Sequence, residues 1–126
     1  MERTLTITTG QDWKAALHAA GRRASHGLAT GNYQGESLNF ESPAAFFGQL
    51  SERRWLMVRE MMGRGTIGVR ELARRLERDV KRVHEDAQVL VSLGLLEKDD
   101  VGALRCPFDD IHVDMHVKPL KRELVA

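Results

Sequence analysis

Nine residues between positions 74 and 105, seven cations with one histidine and one glutamate, are placed to meet a polyanion. They are Arg74, Arg75, Arg78, Lys81, Arg82, His84, Glu85, Lys98 and Arg105. A guanidinium is a planar fork of donors that pairs bidentately with phosphate or with the O6/N7 edge of guanine, whereas an ammonium acts as a point charge. Arg82 is therefore the leading candidate for contact with a base edge, and Lys81 and Arg78 suit phosphate better. His84 faces either a groove or a packing boundary. Arg74 and Arg75, a few residues upstream, are candidate backbone clamps. Lys98 and Arg105 suit a neighbouring phosphate or a minor groove. Glu85 and Asp86 would repel phosphate, so they are expected either to pair with arginines or to limit non-specific contact.

A second constellation is His112-Val113-Asp114-Met115-His116. Alternation along a strand puts both imidazoles and the carboxylate on one face, a donor set suited to zinc or nickel. A polar strand face opposite a core face explains the pattern equally simply, and no metal is assigned. Cys106 is the single cysteine, which rules out an internal disulfide and gives no zinc-finger scaffold; it is expected to be a reduced structural thiol. The chain has no phosphate-binding glycine loop, no G-x-S-x-G elbow and no plausible Cys–His pair. Neither catalysis nor a cofactor is expected.

Net charge is only +1 over 126 residues, but its distribution is uneven. Residues 51–82 hold ten Lys/Arg against five Asp/Glu, and residues 83–126 hold five against nine. Polyanion binding depends on local neutralisation, so this segregation matters more than the total. No apolar run approaches the roughly 18 residues of a membrane span, and no signal-peptide core opens the chain, which points to the cytoplasm.

The elements that must position these groups follow from local patterns. Thr4–Thr8 is β-branched and alternating, a strand. Asp12 can cap a helix from Trp13, and Gly27, Gly31 and Gly35 mark a loose connection. Glu36–Phe40 forms a second strand. Ser42-Pro43 starts a helix carrying Ala44, Phe46, Phe47 and Leu50. Ser51 starts another, with Trp55, Leu56, Val58, Met61 and Met62 as its apolar stripe, ended by Gly63 and Gly65. Val69, Leu72, Ala73 and Leu76 share a face of a short helix. Asp79 caps a longer one whose stripe is Val80, Val83, Ala87, Leu90 and Leu93, stopped by Gly94. Only Glu77–Asp79 separates these two helices, the spacing of a helix-turn-helix. Leu95–Glu97, a turn at Asp99–Gly102 and Ala103–Cys106 then make a hairpin, the wing. Ile111, Val113, Met115 and Val117 alternate with polar residues in a half-buried strand that is a candidate to pair with its counterpart across a two-fold axis.

The expected fold class is α+β, mainly helical: a winged helix-turn-helix with an N-terminal strand/helix extension and a C-terminal strand. The expected division is an extension at 1–37, a DNA-binding domain at 38–118 and a tail at 119–126. The motifs V-R-E-L-A-R-R-L, R-D-V-K-R-V-H-E-D, G-L-L-E and P-F-D-D-I occur in that order. With them the chain resembles a family of small prokaryotic winged-helix, MarR-like transcriptional regulators that includes TumA-type antitoxins of TumE–TumA toxin–antitoxin systems. The resemblance is strong from about Leu38 to Val117 and weak before. One departure is Gly68, where a Ser or Thr cap is common, so the first motif helix should start less sharply.

The resemblance implies binding of double-stranded DNA at the protein's own promoter through Val69–Arg105, a homodimer and, less directly, a cognate protein toxin. An ordinary repressor without a toxin is the nearest alternative, and a protein-interaction module on a winged-helix scaffold the next. Toxin contact is expected in the N-terminal third, where Trp13 and Tyr33 are potential anchors. Phe40, Phe46 and Phe47 are expected to pack on the protein's own core or at a dimer interface.

Overall fold

The computed structural model describes residues 3–10 and 35–119. The helix expected from Trp13, the glycines at 27 and 31, Tyr33 and the last residues of the tail lie outside them. The described elements run β1 (Thr4–Thr9), β2 (Glu36–Phe40), α1 (Pro43–Gln49), α2 (Glu52–Met61), α3 (Val69–Leu76), α4 (Val80–Leu93), β3 (Glu97–Lys98), β4 (Leu104–Arg105) and β5 (Asp110–Asp114). They form a winged helix-turn-helix carrying a small parallel sheet, an α+β architecture.

Helix starts follow local chemistry. The Ser42 hydroxyl accepts from the Ala45 amide at 3.1 Å, with Pro43 in the first turn of α1 where no donor is needed. Ser51 accepts from Arg54 at 3.4 Å, and Asp79 accepts from Arg82 at 3.2 Å. Gly68 supplies no side-chain bond to α3, so that helix does begin without a cap. Gly94 closes α4 at φ 91°, a conformation that costs a residue without Cβ little.

β1 lies between β2 and β5, parallel to both, with Leu5 opposite Glu36 and Ile111 and Ile7 opposite Leu38 and Val113. Leu5 and Ile7 are 3% and 0% exposed and join the core made by Phe46, Met57, Val58, Leu72, Val83 and Leu90. Burying one such side chain contributes roughly 1.5–3 kcal/mol. The boundary expected at 37/38 therefore falls inside β2, and β1 belongs to the same core as the helices rather than to a separate extension. Paired bonds between Arg3 and Asp109 tie the starts of β1 and β5, each at 2.8 Å.

Three expected faces shift. On α2, Met57 is fully buried and Leu56 is 48% exposed, because Met61 follows Val58 by three residues and Met57 by four, which sets all three on the core side. Phe47 is 62% exposed and touches Phe46 edge-on, while Phe40 and Phe46 are buried. β5 stops at Asp114, where its pairing with Thr8 of β1 ends, so Val113 is only half-covered and Val117 is 80% exposed. The wing gains a third member: Ile67 exchanges backbone bonds with Leu104 at 2.8 and 2.7 Å. No helix among the described residues is long and apolar enough to cross a membrane.

Candidate nucleic-acid interface

The turn between α3 and α4 positions the central cations. Glu77 takes the left-handed conformation (φ 54°), and the Glu77 and Arg78 amides donate back to Arg74 and Ala73 carbonyls at 3.2 and 3.0 Å. This reverses the chain within three residues and turns the Arg78 side chain inward. Its Nη2 donates to Asp86 Oδ2 at 2.7 Å, and Arg54 Nε of α2 donates to Asp86 Oδ1 at 3.1 Å. Arg54 Nη1 also donates to the Gln49 carbonyl at 2.7 Å. The three side chains are only 16–22% exposed, so this triad fastens α4 to α2 and to the turn. Burial pushes the Asp86 carboxyl up, but hydrogen bonds from Arg78 and Arg54 outweigh it and leave it below the ordinary range. Arg78 thus sits in the frame rather than at the surface assigned to it as a phosphate contact. Its Nη1 is buried without a hydrogen-bond partner among the described residues.

Lys81 and Arg82 behave differently. Both are exposed in the first turn of α4, and neither side chain has an ion-pair partner among the described residues. That turn contains no acidic residue, so two cations stand at the positive end of the helix dipole. Such placement costs a few tenths of a kcal/mol until an anion arrives. They open onto a cleft of about 620 Å³ between α4 and the start of α2, lined by Arg53, Arg54, Arg78, Lys81 and Arg82 against Asp79, Glu85 and Asp86. Arg53 was missed in the sequence because it belongs to another helix, 28 positions before Lys81; the basic surplus of residues 51–82 was the one signal that included it.

The remaining candidates fall into separate groups. Arg74 and Arg75 both pair with Glu71 on the exposed side of α3, and Arg75 Nε lies 3.3 Å from its carboxylate. Hydrogen bonding from Arg74, assisted by Arg75 and resisted by desolvation, lowers the Glu71 carboxyl to about 2. His84 and Lys98 share a small, mainly apolar hollow of about 210 Å³ between α4 and the wing, with Val69 and Leu104. Lys98 and Arg105 share a second hollow on the wing itself, and Arg105 pairs with Glu97 across β3 and β4. Asp99 shapes the wing turn by accepting from Val101 and Ala103 amides at 3.0 and 2.9 Å.

His112 and Asp114 lie on the polar face of β5, and His116 lies beyond its end. Among the described residues no group of three His, Cys, Asp or Glu side chains is placed to hold a metal ion. Cys106 is buried, which raises its thiol pKa, and its Sγ donates to the Phe108 carbonyl at 3.9 Å. These positions suit an inert thiol.

No curated protein matches the chain. Among solved structures, it is similar to the multiple antibiotic-resistance repressor (MarR) of Listeria monocytogenes 4b F2365, at 24% identity and a TM-score of 0.44. That similarity covers 73% of this chain and 58% of the length of the other. The family model HVO_A0114 matches residues 49–113, from the end of α1 to β5 and including the whole helix-turn-helix and wing. This match spans 65 of the 126 residues, and the chain belongs to the HVO_A0114 family.

Proposed function

We propose that this protein is a sequence-specific DNA-binding transcriptional regulator that acts as a homodimer on its own promoter. The observation that carries the proposal is the pair of exposed cations, Lys81 and Arg82, without ion-pair partners among the described residues, in the first turn of the second helix of a helix-turn-helix. In this motif the N-terminal part of the second helix approaches base edges in the major groove. Arg82 is assigned to a base and Lys81 to phosphate. Lys98 and Arg105 on the wing are assigned to the flanking backbone, Arg105 after release from Glu97. Arg74 and Arg75 are held by Glu71 and make weaker clamps. A dimer presents two such helices to half-sites about one helical turn apart. A gel shift on promoter DNA at low salt tests this: a discrete complex is expected, and no complex at any protein concentration would contradict it.

The finer role, an autorepressing antitoxin that neutralises a cognate protein toxin, is supported only by the sequence resemblance. Co-expression with the product of an adjacent small reading frame tests it. A stable complex and restored growth support the antitoxin role; independent purification of the two proteins leaves an ordinary repressor.

A further inference from the structure

β5 ends the sheet: β1 runs along one side, and among the described residues no strand runs along the other. An open edge offers backbone donors and acceptors to a further strand, and proteins commonly block it with lysine, proline or a bulge. β5 reads Asp-Ile-His-Val-Asp and contains neither lysine nor proline. Val113 stands in register with Ile7, whose side chain is fully buried, yet is 39% exposed.

The order of residues selects the occupant. Residues 110–116 read Asp-Ile-His-Val-Asp-Met-His. Laid antiparallel on a second copy about an axis through Val113, His112 opposes the partner's Asp114 and Asp110 opposes the partner's His116. Ile111 then opposes the partner's Met115, and Val113 meets its own copy. Every carboxylate faces an imidazole, which can donate a hydrogen bond in either protonation state, and every apolar residue faces another. Moving the axis to His112 or to Asp114 sets Asp against Asp and His against His. Moving it by half a step sets polar side chains against apolar ones. The pattern is therefore self-complementary in one register, as an isologous contact requires.

We propose that a second copy of this chain pairs with the outer edge of β5, antiparallel and centred on Val113, joining two three-stranded sheets into one. Pairing extends the strand by two residues past Asp114. His116, which lies 4.0 Å from Asp114 within one chain, exchanges that neighbour for the partner's Asp110. This gives the dimer of the proposed function an interface. The test is made without DNA, so failure here leaves DNA binding standing and failure of DNA binding leaves the pairing standing.

Val113→Cys is expected to form a covalent dimer on mild oxidation, because each copy meets itself on the axis. Val101→Cys, at the 88% exposed wing tip, is expected to stay monomeric on the same non-reducing gel. His112→Asp creates two like-charge pairs by symmetry and should weaken association about tenfold or more in sedimentation equilibrium. Adding Asp114→His should restore it. A monomeric wild-type protein, or a dimer that neither cross-links through Val113→Cys nor responds to His112→Asp, would overturn the proposal. If Val113→Cys fails to fold, the charge-swap pair decides alone.

Discussion

Arg78 and Arg82 are four residues apart, carry the same charge and are placed on opposite sides of the same boundary. Arg78, just before the cap of α4, is paired with the Asp86 carboxylate, which it shares with Arg54. Arg82, in the first turn, is left exposed at a helix end that disfavours it. One group of positive charge ties α4 to α2 and to the turn; the other stands exposed at the start of α4. The basic surplus of a segment is thus not the same quantity as its binding charge: Arg54, Arg74, Arg75, Arg78 and Arg105 all have internal carboxylate partners.

The largest expected effect comes from breaking the frame. Asp86→Ala leaves two largely buried guanidinium groups uncompensated and should cost about 2–3 kcal/mol, between the values for exposed and fully buried pairs. Urea denaturation checks this; a loss below about 0.5 kcal/mol would remove the distinction between the two regions. The same triad sets a pH dependence. Asp86 has a folded pKa below its ordinary 3.8, so its contribution is complete above that value and is lost as pH falls through the folded pKa. Stability of the wild type should fall more steeply in this acid window than that of Asp86→Asn.

Next in size is the free region. Arg82→Ala should lower specific DNA affinity by about 1–3 kcal/mol, roughly fivefold to 150-fold, with the unfolding midpoint nearly unchanged. Fluorescence anisotropy on specific and scrambled duplexes checks it; equal losses on both would reassign Arg82 to phosphate. A smaller effect is expected where the two regions join. Asp79→Ala removes the cap of α4 and should cost about 1 kcal/mol in thermal melts, leaving the slope of DNA affinity against salt unchanged. The smallest concerns α3: the Glu71 carboxyl should titrate near 2 by NMR, and a midpoint at its ordinary 4.5 would show that Arg74 and Arg75 are free to clamp DNA.

Local chemistry was legible in the sequence and long-range geometry was not. Ser42, Ser51, Asp79 and Gly94 act within one turn of themselves, so the helix starts and the stop after Leu93 are readable from neighbouring residues. The parallel sheet joins Thr4 to Asp110, more than a hundred residues away, and no local pattern encodes that pairing. The alternation through Val117 suggests a longer strand, but the pairing with β1 stops at Asp114, opposite Thr8. Charge and position along the chain mark the candidate site residues. Their division into paired and free groups needed the left-handed turn at Glu77, which carries Arg78 back to a carboxylate eight residues ahead.

The most direct test of the central claim is the salt dependence of binding to the promoter duplex, measured for the wild type and for Lys81→Ala. If the first turn of α4 meets phosphate, log affinity falls steeply and linearly with log salt, and Lys81→Ala lowers that slope by about one. A flat salt response in the wild type, or an unchanged slope in the variant, would contradict a DNA-facing α4.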